Sequence, residues 1–113
     1  MADHIKIRKA DGTWVVRVAG AVVAESANAL ELAEGDYPEV IYFPRGDIAM
    51  AFFDSSEKST HCPHKGDASY FHLVTKSGTL DNAAWSYETP LDGVSDIAGH
   101  LAFAHEMVTV EKL

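Results

Sequence analysis

Three observations predict a mainly β fold. Apolar and polar residues alternate in short runs, turn-forming residues punctuate the chain at short intervals, and only two stretches carry a helical pattern. The predicted class is a small single-domain antiparallel β sheet or open barrel with one or two short helices. A chain of 113 residues with 47% apolar content has the size of one domain and can bury one core, so residues 1–113 are read as a single unit.

Ile5 and Ile7, then Trp14, Val16 and Val18, alternate with Lys6, Arg8, Val15 and Arg17, the period-two pattern of strands with one buried face. Asp11-Gly12 between them suits a tight turn, predicting an antiparallel hairpin of residues 4–9 and 13–19. A second turn at Ala19-Gly20 leads to Val22, Val23 and Ala24, extending it to a three-stranded meander. Residues 27–34 are rich in helix formers and follow Ser26, an N-cap candidate, which predicts a two-turn helix. Val40, Ile41, Tyr42 and Phe43 read as a buried strand ended by Pro44. Residues 48–53 read as another strand, followed by a turn at Asp54-Ser55-Ser56. Residues 68–76 alternate as a strand, with a turn at Ser77-Gly78 and the sheet resuming at residues 84–87 after Asp81-Asn82. Val94, Ile97, Leu101 and His105 recur at helical spacing, predicting helical turns over residues 94–105, and Val108 and Val110 suggest a closing strand.

The formal charge of −8 opposes polyanions, so neither nucleic acid nor a membrane surface is an expected partner. Lys6, Arg8 and Lys9 are the closest basic grouping and fit a solvated strand face. Cys62 is the only cysteine, which excludes an internal disulfide and a multi-thiolate zinc site within one chain. With no secretory h-region after Met1 and no run of about twenty apolar residues, the expectation is a soluble cytoplasmic protein. A small-molecule ligand and a homo-oligomer are both compatible with this composition.

Residues 60–70 place a thiol (Cys62), two imidazoles (His61, His64), an amine (Lys65), a carboxylate (Asp67), hydroxyls (Thr60, Ser69) and a phenol (Tyr70) in one loop and strand start. This TxCPxKGxAxY segment resembles the signature of the domain-of-unknown-function 427 family. The similarity extends to YFPRGD at residues 42–47, AWSY at 84–87 followed by Pro90, and IAGHLAF at 97–103. The resemblance implies a fold of the β-tent or Mss4-like group, whose related domains often hold zinc through paired CxxC motifs. This chain has neither pair, so no structural zinc is expected, and any other cofactor is unknown. The family has carried a nucleotidyltransferase-like label, but no Gly-Ser motif followed by paired Asp carboxylates is present to bind two magnesium ions. His64 stands where an aromatic is common in the family, and Ala104 where a Tyr often follows Ala-Phe.

Cys62 reads either as a packed thiol or as a nucleophile activated by His61, His64 or Lys65. His61 and His64 are three apart, but no third ligand is fixed and no metal site is expected. Lys65 before Gly66 fits either a turn or an anion-facing amine. Arg45 and Asp47 either pair across a turn or hold an anionic group, and Tyr70, Trp85 and Tyr87 fit a core or a cleft wall. The leading reading is a small anionic ligand bound where PRGD, TxCPxKG and AWSY converge, with Arg45, Asp47, Thr60, Cys62, Lys65, Tyr70, Trp85 and Tyr87 as ligand-binding candidates. The alternatives are an enzyme using Cys62 as nucleophile or redox thiol with His61 or His64 as base, and a non-catalytic structural or interaction module.

Overall fold

Among the described residues ten strands pair antiparallel in three sheets. The computed structural model describes residues 4–113; the reading of the chain's start reaches into residues 1–3, which lie outside them. β1 (Ile5–Lys9), β4 (Leu30–Glu34) and β5 (Val40–Tyr42) form one sheet in the order β1-β4-β5. β2 (Trp14–Val18), β3 (Ala21–Ser26) and β10 (Val108–Lys112) form a second, ordered β10-β2-β3. The third holds β6 (Phe53–Cys62), β7 (Gly66–Thr75), β8 (Gly78–Ser86) and β9 (Leu101–Phe103) in sequence order. Short 3₁₀ segments occupy Arg45–Asp47, Met50–Phe52 and Asp92–Ile97.

The four-stranded sheet is the middle layer. On one face, Leu73, Ala84, Leu101 and Phe103 pack with Val16, Val18, Val23 and Ala24 of the β10-β2-β3 sheet. On the other, Ala68, Tyr70, Trp85, Tyr87 and Ala102 pack with Leu32, Val40 and Tyr42 of the β1-β4-β5 sheet and with Val94 and Ile97. Leu73, Leu101 and Phe43 are wholly buried, each such side chain contributing about 1.5–3 kcal/mol. Phe43 exchanges two backbone hydrogen bonds with Leu101, of 2.8 and 3.0 Å, tying the end of β5 to β9. Among the described residues no helix is long and apolar enough to cross a membrane.

The mainly β class agrees with the sequence, and five local expectations are corrected. Asp11-Gly12 does not close a hairpin: β1 pairs with β4, Ile7 opposite Leu32, while β2 pairs with β3 and β10. Gly12, at φ +78, turns the chain out of one sheet and into another. Residues 27–34 are not helical, since Leu30–Glu34 is hydrogen-bonded on both sides by β1 and β5, and pairing overrides helix propensity. Ser26 instead accepts the Asn28 N–H (2.9 Å) and donates to Asp47 (2.6 Å). The expected strand at residues 48–53 is largely a 3₁₀ turn, and Asp54-Ser55-Ser56 lies within β6, where pairing with β7 slips between Ser55 and Ser59. Residues 94–105 form a 3₁₀ segment and then β9, broken by Gly99 at φ +73, whose N–H is taken by the Tyr87 carbonyl at 3.1 Å.

Candidate functional site

Cys62 pairs with Gly66 at the closed end of the β6-β7 hairpin, leaving Pro63-His64-Lys65 as its loop. Gly66 has φ +110, the conformation a short loop ending in glycine uses. Its missing side chain faces backbone: a Cβ there would lie 3.6 Å from the Pro90 Cα and the Thr89 carbonyl oxygen. The Leu91 N–H donates to the Lys65 carbonyl at 3.0 Å. The Lys-Gly of TxCPxKG and the Pro90 that follows AWSY therefore meet through the backbone.

This contact fixes Lys65, whose side chain is only 12% exposed and whose Nζ donates to Glu34 Oε1 at 2.6 Å. His4 Nε2 lies 3.4 Å from the other Glu34 oxygen. Burial pushes the Lys65 ammonium toward deprotonation, but the Glu34 hydrogen bond and the nearby Cys62 and Tyr42 more than offset it and hold its pKa above the ordinary lysine value. The Lys65 hydrogen bond, acting against burial, keeps the Glu34 carboxyl below its usual range. Lys65 is thus a fixed cation, unsuited to act as a neutral amine nucleophile.

Beside this ion pair lies an open cavity of about 430 Å³ between the β1-β4-β5 sheet and the four-stranded sheet. Its wall includes Tyr37, Tyr42, Tyr70, Trp85 and Tyr87, with Glu34, Lys58, Lys65 and Asn82 as its polar groups. Tyr70 and Trp85 oppose each other on β7 and β8, ring centroids 6.4 Å apart. Trp85 also meets Tyr42 edge-on and donates its indole N–H to the Tyr42 hydroxyl at 3.3 Å. The Lys58 ammonium lies 4.6 Å from the Tyr70 ring centroid, within cation–π range.

Lys65, Tyr70, Trp85 and Tyr87 share this wall; the other candidates do not line it. Thr60 is exposed and bonded to the Tyr70 hydroxyl at 3.1 Å. Cys62 is half-buried against the same apolar cluster, and among the described residues it has no hydrogen bond to an imidazole. His61 engages Asp67 at 2.7 Å on the exposed hairpin, and His64 stacks edge-on with His4 at 4.7 Å. Arg45 donates to Glu88 at 2.8 Å and to Ser86 at 3.5 Å, and lies 5.5 Å from the Phe71 centroid. Ser86 also donates to Glu88. Because Ser86 alternates with Trp85 and Tyr87, its partner Arg45 falls on the far side of the sheet from the cavity. Asp47 is engaged by Ser26 rather than by Arg45. Among the described residues, no three His, Cys, Asp or Glu side chains gather as metal ligands.

The residues that sequence reasoning missed are Glu34, Tyr37, Tyr42, Lys58 and Asn82. Tyr42 opens the YFPRGD motif, and Leu30, Leu32 and Glu34 share one period-two face. Reading that run as a strand places Glu34 beside the cavity.

Residues 6–112 match the family described as Domain of unknown function (DUF427). No match to the chain is found among curated proteins. A family match across nearly the whole chain, from β1 through β10, establishes that this protein belongs to the DUF427 family.

Proposed function

We propose that this domain binds a small molecule with a flat apolar body and one anionic group. The observation that carries this reading is the cavity of about 430 Å³ lined by five aromatic side chains together with Lys58 and Lys65. That volume lies within the range of small-ligand sites, which combine apolar walls with a few placed polar groups. The protein is acidic overall, yet two lysines and one glutamate line this cavity. Lys65 is committed to Glu34, whereas Lys58 has no carboxylate partner among the described residues, so the local charge favours an anion. Tyr70 and Trp85 supply the faces on which a ring stacks. The reading suits a cytoplasmic setting, where a lone thiol such as Cys62 stays reduced. Arg45, engaged by Glu88, takes no part in it.

A thermal-shift series with benzoate and phenyl phosphate tests this, with Lys58→Ala and Trp85→Leu as controls. Wild type is expected to gain about 2.7 kcal/mol at a ligand concentration one hundred times Kd, and both variants are expected to lose most of that gain. Failure of both probes to stabilise wild type, or equal stabilisation of both variants, would refute the reading.

A further inference from the structure

The polar side chains of the cavity wall offer more hydrogen-bond donors than acceptors. Tyr42, 1% exposed, accepts the Trp85 indole N–H, and its own phenol proton has no acceptor among the described residues. Tyr87, 6% exposed, lines the same cavity, and its hydroxyl has no hydrogen-bond partner among them. The Lys65 ammonium carries three protons and uses one on Glu34. Among the described residues Glu34 is the one carboxylate in the cavity wall, and its oxygens face Lys65 and His4. The Tyr87 hydroxyl, unpaired yet not sealed from solvent among the described residues, is open to a ligand, and two phenol protons in one wall with an ammonium suit an acceptor-rich one.

We infer that Tyr42 and Tyr87 are specificity-determining residues whose phenol protons, together with Lys65, grip the oxygens of the ligand's carboxylate or phosphate group. The inference rests on the ligand-binding reading above and adds which atoms select the anion. Burial, the largest influence on both phenols, raises their pKa values, so both stay protonated donors at neutral pH. Hydrogen bonds to a charged acceptor are the stronger kind.

Titration calorimetry of benzoate, phenyl phosphate and neutral benzyl alcohol against wild type, Tyr87→Phe, Tyr42→Phe and Lys58→Ala tests the inference. Tyr87→Phe is expected to weaken the better anionic probe roughly tenfold or more, with benzyl alcohol unaffected. Its melting temperature without ligand should equal or exceed that of wild type, because the lost hydroxyl has no protein partner. Tyr42→Phe also deprives the Trp85 N–H of its acceptor, so Tyr87→Phe is the variant that separates binding from folding. A preference for phenyl phosphate or for benzoate identifies the anionic group, and either preference supports the inference. Tyr87→Phe binding both anions within about twofold of wild type, while Lys58→Ala loses affinity, would overturn the phenol assignment and leave the ligand-binding reading standing. Neither anion binding wild type would overturn both.

Discussion

Replacing Lys65 with Met removes the cation that neutralises Glu34, and the structure sets the size of the effect. The Nζ–Oε1 separation is 2.6 Å, and the two side chains are 12% and 19% exposed. Exposed ion pairs contribute about 0–1 kcal/mol, whereas breaking a fully buried pair by removing one partner costs about 3–5 kcal/mol. This pair lies between those limits, and His4, 3.4 Å from Glu34, softens the loss of Lys65. The expected destabilisation is about 2–3 kcal/mol, a fall in melting temperature of roughly 10–15 °C for a domain this small. Removing both charges leaves neither uncompensated, so Glu34→Gln/Lys65→Met should be more stable than the sum of the single changes by about 1–2 kcal/mol. Urea denaturation of the four proteins at neutral pH measures the coupling. Strict additivity, or a Lys65→Met variant within about 0.5 kcal/mol of wild type, would refute the buried-pair account.

The same pair sets a pH dependence. The folded-state Glu34 carboxyl titrates below its ordinary range, so its contribution is present at neutral pH and lost as pH falls through that lowered pKa. Melting curves from neutral pH downward should therefore show the gap between wild type and Lys65→Met narrowing in acid, and a constant gap would contradict the linkage. Gly66→Ala should destabilise by about 1–3 kcal/mol through its positive φ rather than through a clash, since the nearest backbone atoms lie 3.6 Å from the added Cβ; a melting temperature equal to wild type would contradict that. Leu73→Ala, at a wholly buried position between the outer sheets, should cost about 2–5 kcal/mol. Val74→Ala, at its 38% exposed neighbour, should cost much less, and equal losses would contradict the burial assigned to Leu73.

Strands whose partners are close in sequence were legible. The β2-β3 hairpin at Ala19-Gly20, β5 before Pro44 and most of β7 follow from alternation and turn chemistry; the closing β10 was legible as a strand, although its partner β2 lies far off in sequence. What the sequence concealed was partner choice across distance. Asp11-Gly12 has the chemistry of a hairpin turn, yet Ile5–Lys9 pairs with Leu30–Glu34 because both present apolar residues to the same layer. Leu30–Glu34 and Leu101–Phe103 carry helix formers, and neighbouring strands supply the hydrogen bonds that make them strands. The site divided along the same lines. Lys65, Tyr70, Trp85 and Tyr87 stand out by residue type and share one cavity. Arg45 stands out equally, but strand alternation puts its Ser86 contact on the other face. Glu34 was hidden inside a run that reads as helical.

The most direct test of the ligand site is the pair of tryptophan indole N–H signals in a ¹H–¹⁵N spectrum during titration with phenyl phosphate. The Trp85 indole donates to the Tyr42 hydroxyl in the cavity wall, whereas the Trp14 indole donates to the Asp11 carbonyl at 2.9 Å, outside it. Saturable movement of the Trp85 signal with Trp14 stationary is the predicted result. A stationary Trp85 signal, with the shifts confined to the groove lined by Val23, Phe52 and Val74, would contradict the account.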